Sequence, residues 1–452
     1  MPSFFSTKGF TDEFGDPDLI YYNADIVNQK STNSQNWSDI PVAKFQEIRN
    51  VPIINNPSNF EFTIVRCDMN GVGKDLPLMI PNVVLDGVNT DPNKLVYTIG
   101  IYMAVNYTSL APTADTAALA ETYQRTNLTF IPENLFSPVP TSGNILKEQD
   151  LSTDYYYLTT YQKFLTFINT ALKTLVNSAT ISLNNSINAG SPQYTQRITQ
   201  PSPPKMIYDP STQLFSIYVP SNISSAVDPN KYPATTSSLT AQVGGSGTNT
   251  LSPLVQIWMS QSLYDLFSSF QANNQGDTRV GESYQILYYD NFNNSASVGG
   301  CSCATPPVVG MDYKILSQEY PTTSTLWSPI SSIVFCSSLI PIFNEYVSNP
   351  VVFDDKGNNI APNTTSNSNF TPIITDISLA TDTAQDYRGF VSYVPSAEYR
   401  MSSINGNQPL NALDIQIYWK NRLNGTLNPI KLSNYSTINL KILFRKRGYN
   451  GN

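Results

Sequence analysis

The amino-acid sequence predicts a mainly β protein, one β domain built from both ends of the chain and interrupted by a mixed α/β insertion. Three observations carry this expectation. Leu413–Lys420 sets Leu413, Ile415, Ile417 and Trp419 on one parity against Asp414, Gln416 and Lys420, and Ile438–Lys446 repeats the pattern with Ile438, Leu440, Ile442 and Phe444. A period of two in β-branched and aromatic residues marks strands with one face on a core and the other in water. Towards the other end, Asn59–Val65 and Leu95–Val105 alternate in the same way, while Ser152–Ala179 changes to apolar spacings of three and four, the period of an amphipathic helix.

Composition agrees. Only 13% of the 452 residues are charged, and 32 prolines and 22 glycines punctuate the chain, which favours many short strands over long helices. The formal charge of −8 argues against nucleic-acid binding by the surface as a whole, so no specific nucleic-acid binding is expected. A local basic group does close the chain: Lys441, Arg445, Lys446 and Arg447. No apolar run reaches the eighteen or so residues of a membrane span, and Met1–Ile20 lacks a basic start followed by an apolar stretch, so no export signal is expected. Four cysteines in a chain of this size are not a disulfide framework.

In order along the chain, residues 1–45 read as an N-terminal arm, with Asp12, Glu13, Asp16 and Asp18 as a solvated acidic cluster around Gly15 and Pro17. Residues 46–135 form the first part of the β domain, holding the Phe60/Phe62/Ile64 strand, an extended Leu76–Leu85 broken by two prolines, and Leu95–Val105. Residues 136–279 form the insertion. Its helix, Ser152–Ala179, carries Leu158, Leu165 and Leu172 and has Ser152, Thr153 or Asp154 to cap it. A strand over Leu214–Val219 follows, then a second helix from Pro253 to about Gln271. Residues 280–452 resume the β domain through Tyr284–Tyr289, Ile330–Phe335, Ile373–Ile377 and Phe390–Val394. The strands Phe60–Val65, Leu95–Val105, Leu413–Lys420 and Ile438–Lys446 are expected to share one two-sheet core.

No catalytic, cofactor-binding or metal-ligating residues emerge. With no histidine, Ser-His-Asp and Cys-His catalysis and His-bound zinc are excluded. Cys301-Ser302-Cys303, with Cys67 and Cys336 far away, does not have knuckle spacing and reads as loop and buried thiols. Gly71-Val72-Gly73-Lys74 fails as a phosphate loop, since Asp68 stands at the first glycine position and Asp75 at the Ser/Thr position. Asp354-Asp355 before Gly357 reads as turn chemistry, and Tyr155-Tyr156-Tyr157 as an aromatic start to a packed helix rather than a stacking platform.

An ordered series of residues nevertheless looks familiar. Tyr21-Tyr22, Pro41, Phe45, Glu47 and Arg49, then Pro52-Ile53-Ile54 and Asn56-Pro57-Ser58-Asn59-Phe60 leading into Ile64-Val65-Arg66, resemble the opening of the penton (minor capsid) proteins of virophages and of polinton-like or adintovirus-type DNA viruses. Tyr155-Tyr156-Tyr157 with Tyr161-Gln162 and Asn169-Thr170-Ala171-Leu172 is similar to the central helix of that family. Pro341-Ile342 with Glu345 is similar to a later segment, and Tyr393-Val394-Pro395-Ser396, Glu398-Tyr399-Arg400, Asp414, Trp419-Lys420 and Ile442–Arg445 to its ending. Cys67 departs from the pattern, where an aromatic or larger apolar residue is expected. The resemblance implies a single jelly-roll sandwich split by the insertion, assembling as a homopentamer at the five-fold vertices of an icosahedral virion. The major capsid protein would be its neighbour and the inserted domain its contact with a host surface. A jelly-roll attachment or carbohydrate-binding module is the competing expectation.

Overall fold

The computed structural model describes residues 15–29, 40–71, 76–85, 89–110, 115–133, 137–140, 149–150, 153–190, 201–220, 224–225, 254–277, 282–288, 297–298, 313–321, 327–343, 345–346, 352–353, 359–360, 370–378, 390–394, 400–422 and 425–449. The chain divides into two compact units, Met1–Met79 with Ser328–Asn452, and Ile80–Trp327. The expected insertion, 136–279, lies within the second.

Eight principal strands build the first unit. In chain order they are Leu19–Val27, Lys44–Ile48, Phe60–Asn70, Ile330–Cys336, Ile373–Ile377, Phe390–Tyr393, Ala412–Asn421 and Thr437–Lys446. One sheet runs first, eighth, third, sixth, and the other fifth, fourth, seventh, second, every neighbouring pair antiparallel. Two four-stranded sheets with these crossovers are consistent with the expected jelly roll.

The core follows from the parity read in the sequence. Ile438, Leu440, Ile442 and Phe444 are buried, as are Leu413, Ile415, Ile417 and Trp419. Phe444 lies opposite Phe62, their rings stacked with centroids 5.5 Å apart, a pairing that adds about 0.5–1.5 kcal/mol beyond the area it buries. Cys67 has a local cause. A register shift between Ile64 and Arg66 lets both Ile64 and Cys67, three residues apart, face the core, where the bulge presents a fully buried thiol. The sheet edges meet where Tyr22 packs edge-on to Phe45, centroids 6.1 Å apart, and donates a hydrogen bond to Glu47.

Two expectations are corrected in this unit. Leu19–Val27, placed in the arm, is an edge strand paired along its length with Thr437–Lys446. Its alternation was masked because the outward residues include Tyr21 and Val27 and the inward ones include Ala24, so parity carries little polar contrast. Leu95–Val105, in turn, does not belong to this sandwich; it is part of a strand of the second unit. Alternation identifies a strand but not the sheet it joins.

The second unit has a five-stranded run in the order Asn273–Asp277, Glu282–Tyr288, Leu254–Ser260, Lys94–Leu110, Asp115–Thr129. A further sheet contains Lys205–Asp209, Leu214–Pro220 and Tyr313–Ser317. Its helix is Tyr161–Gly190, later than expected at both ends. The Thr160 hydroxyl accepts the Lys163 N–H at 3.3 Å and caps it, while Leu183 and Ile187 continue the buried stripe of Leu165, Ile168, Leu172 and Val176. Hydroxyls that would compete with the helix instead bond back one turn, Thr166 to the Gln162 carbonyl and Thr180 to that of Val176. Phe164 meets Tyr97 of the large sheet edge-on, centroids 5.7 Å apart. Asn169 locks onto the Met206 backbone through both amide groups, at 2.7 and 2.9 Å.

The helix expected over Pro253–Gln271 is mostly absent. Leu254–Ser260 is a strand and only Gln261–Asp265 is helical. Leu254, Trp258 and Leu263 have helical spacing, but Val255, Ile257 and Met259 alternate between them and are fully buried. Tyr155 and Tyr156 precede the helix and pack on Phe130, with centroids 5.6 and 5.2 Å away.

Candidate functional site

The first unit is stitched together at one end by both terminal segments and three loops. The third strand begins there at Phe60 and the eighth ends there at Lys446, paired with each other. Asp16, 3% exposed, accepts the Asn55 N–H (2.9 and 3.0 Å to its two oxygens), the Asn55 side-chain amide (2.8 Å) and the Asn56 N–H (3.0 Å). Asp18 takes the Lys446 ammonium at 3.4 Å, and its carbonyl takes the Lys446 N–H at 2.9 Å. The acidic lead-in is therefore not solvated at these two residues; Asp12 and Glu13 lie outside the described residues. The loop after Ile48 joins the loop before Ala412 through Ile53 and Leu410, and the loop after Cys336 joins that same segment through Asn405 and Pro341, at 2.6 Å.

The terminal basic group is drawn into this framework. Arg445 sets Nε and Nη2 on one oxygen of Glu61 at 3.0 and 2.7 Å, Arg447 donates to the Ile404 carbonyl at 3.0 Å, and Lys441 lies 5.4 Å from the centroid of the Tyr21 ring. These contacts orient the cations within the fold, unlike the loose basic tail that attracts a phosphate backbone.

Asp414 organises the same end from inside. On the polar parity of its strand, it is nonetheless fully buried. Its oxygens accept the Ser337 and Ser338 hydroxyls, each at 2.6 Å, and the Ser338 and Leu339 N–H groups at 2.9 and 2.8 Å. Burial alone would raise its pKa; hydrogen bonds from Ser337, Ser338, Leu339 and Gln416 outweigh that and hold it below the ordinary carboxylate value. The result is a rigid turn with Ile340 buried behind it and Leu339 outside. Around it Ile48, Val51 and Phe343 are each more than 70% exposed. The arrangement holds these loops in fixed positions.

The opposite end is marked by Asn70, paired with Thr437 and Phe390. The chain thus leaves this sheet at the end away from its C-terminus. Gly71 follows with φ +78°, and a β-carbon there would stand 3.2 Å from the Ser436 hydroxyl, so the turn takes glycine on two counts. Residues 72–75, the rest of the failed phosphate loop, lie outside the described residues, as do Asp354, Asp355, Cys301 and Cys303. Burial pushes the Cys67 and Cys336 thiols up to about 12, with a smaller contribution from a neighbouring aspartate in each case. Asp16 and Asp414 escaped notice in the sequence because acids in a lead-in and on a strand's polar parity look like solvated ones. The Ser337-Ser338 pair facing Asp414 is distant in the chain.

A model of the Sputnik minor capsid protein V18/19 family matches residues 20–446. The chain belongs to this family. As a minor capsid protein it is a structural component of the virion, and two curated relatives and two solved structures show how far the likeness extends. It is 28% identical over 167 residues to an uncharacterised protein V18 of Sputnik virophage, covering 36% of this chain and 84% of that protein. It is 24% identical over 184 residues to structural protein V19 of the same virophage, covering 39% and 74%. Its fold superposes on a chain of the Sputnik virophage cryo-EM structure with a TM-score of 0.63 at 22% identity, covering 96% of this chain and 99% of that one. The crystal structure of mavirus penton protein aligns with a TM-score of 0.50 at 14% identity, covering 94% and 99%. The minor capsid protein therefore has its fold over nearly its whole length in common with these virion proteins.

Proposed function

We propose that this minor capsid protein forms homopentameric rings at the five-fold vertices of its capsid, held there against the major capsid protein of the same virus, and carries out no catalysis. The observation that supports this best is the stitched end of the first unit. Three loops and both terminal segments converge there, buried carboxylates fix them, and Ile48, Val51 and Phe343 stand out from them. Rigid, partly apolar loops suit association because little ordering remains to be done on binding. A ring requires heterologous contacts that close after a fixed rotation, and loops held by a buried acid keep that rotation constant. The second unit is the part of the chain offered to a host surface.

The mass of the purified native protein tests the reading. Pentamers by native mass spectrometry, and five-fold rings in negative-stain micrographs, are expected. Monomers to trimers at every concentration would overturn it and leave an attachment or carbohydrate-binding module as the better reading.

A further inference from the structure

Four Asn-Gly dipeptides occur in the sequence, and the fold treats them differently. Asparagine amides are thermolabile, most of all before glycine, which has no side chain to hinder attack by its own nitrogen on the asparagine side chain. The reaction needs the peptide between the two residues to rotate until that nitrogen meets the side-chain carbon Cγ. At Asn70-Gly71 the fold opposes this rotation. Asn70 is paired on both sides, with Thr437 and with Phe390, and Gly71 stands against Ser436. At Asn424-Gly425 the attacking nitrogen is engaged, since Gly425 donates its N–H to the Asn421 carbonyl at 2.9 Å. Asn424 itself lies outside the described residues, as does the fourth pair, Asn450-Gly451.

Asn405-Gly406 is held differently. It opens a loop whose tip, Gly406 to Pro409, is exposed. The Asn405 N–H is fixed by the Pro341 carbonyl at 2.6 Å, and beyond the tip Leu410 bonds through its backbone to Ile53 and Ile54 at 2.7 and 2.8 Å. Between these anchors, among the described residues, the peptide from Asn405 to Gly406 neither accepts a backbone hydrogen bond at its carbonyl nor donates one at its N–H. It can turn without breaking any part of a ladder.

We propose that Asn405 is a spontaneous deamidation site of the folded protein, a slow chemical clock at the stitched end of the first unit. Hydroxide from solvent takes the proton of the Gly406 nitrogen, which bonds to Cγ of Asn405. The bond from Cγ to the amide nitrogen breaks, and that nitrogen takes a proton from water and leaves as ammonia. Water then opens the cyclic imide at either carbonyl. Opening at Cγ gives aspartate with the chain path unchanged. Opening at the main-chain carbonyl gives isoaspartate, in which the chain runs through Cγ and is one carbon longer. Nothing is oxidised or reduced, and either product adds a negative charge to an exposed loop. In the isoaspartyl form the extra carbon has to be absorbed between the anchors at Pro341 and Ile54. The inference rests on the fold of the first unit and is independent of the ring.

The test incubates the full-length protein at 37 °C and pH 8, folded in buffer and unfolded in urea, with samples taken over several weeks. Tryptic peptide mapping with fragmentation locates the mass gain of an amide turned into an acid, and chromatography separates aspartate from isoaspartate. Each asparagine is compared with itself in the two states. Folding should slow Asn405 less than tenfold and Asn70 tenfold or more. Asn405→Gln, whose longer side chain closes the imide ring far more slowly, should silence the peptide Met401–Lys420, while Asn70→Gln should leave it reacting as before. Melting curves verify that both variants fold. If folding slows Asn405 tenfold or more, if it slows Asn70 less than tenfold, or if Met401–Lys420 still deamidates at the parent rate in Asn405→Gln, the proposal is wrong.

Discussion

Replacing Asp414 by alanine removes one carboxylate and strands several donors. The buried Ser337 hydroxyl loses its acceptor outright, whereas Ser338 and Leu339 are exposed and water can take over part of their bonding. A hydrogen bond to a charged group is worth about 1.5–3 kcal/mol, and an unsatisfied buried donor costs about 1–3 kcal/mol. Counting the buried loss in full and the exposed ones in part gives about 3–4 kcal/mol. For a folding unit of this size that lowers Tm by roughly 6–16 °C. Asp414→Asn keeps the shape but turns an amide N–H toward the donors, so an intermediate loss of about 2 kcal/mol is expected. The pH dependence has a definite sign. The native pKa lies below the unfolded one, so the carboxylate's stabilisation is complete above the unfolded value, about pH 4, and is lost as pH falls through the lower native value. Thermal melts of parent and variants, followed through near-UV circular dichroism at pH 7 and at pH 2, measure both effects. A change in Tm below 2 °C at pH 7, or a gap between parent and alanine variant equally wide at pH 2, would refute the reasoning.

Phe444→Ala should destabilise the first unit by about 3–5 kcal/mol, through loss of a fully buried ring stacked on Phe62; chemical denaturation measures it. Leu165→Asp places a lone carboxylate under the long helix and should unfold the second unit, at a cost of about 3–5 kcal/mol, seen as lost far-UV helical signal at 25 °C. Neither Cys67 nor Cys336 should react with a thiol reagent in the native protein at pH 8, since burial pushes both to about 12, yet both should react promptly in urea.

The two strands that end the chain and the strand at Phe60 were legible because one face of each meets a continuous core, so period and burial coincide residue by residue. Legibility failed where the contrast was weak or the partner remote. Leu19–Val27 has apolar residues on both parities, and Leu95–Val105 gives a clean strand signal with nothing to say which sheet receives it. The long helix was visible from its stripe, but its start depends on Thr160, one of several hydroxyls in a run that could equally cap. The stitched end of the first unit was the least legible part. Its organising groups, Asp16 and Asp414, owe their burial to partners tens of residues away, and no local pattern marks a carboxylate that will be clasped by backbone amides.

The pairing of the first strand with the last has a consequence for how the molecule is made. Val27 lies opposite Thr437, about 400 residues later. At ribosomal speeds of about 5–20 residues per second, roughly 20–80 s pass between synthesis of a segment and synthesis of its mate. During that interval the eight-stranded unit cannot close, whereas the whole of the second unit, Ile80–Trp327, is synthesised before the interval ends. Nascent chains should therefore carry an orphaned Tyr21–Val27 segment beside a completed neighbour. Yield in a host should respond more to holdase chaperones that shelter the early strand than to any aid given to the inserted part.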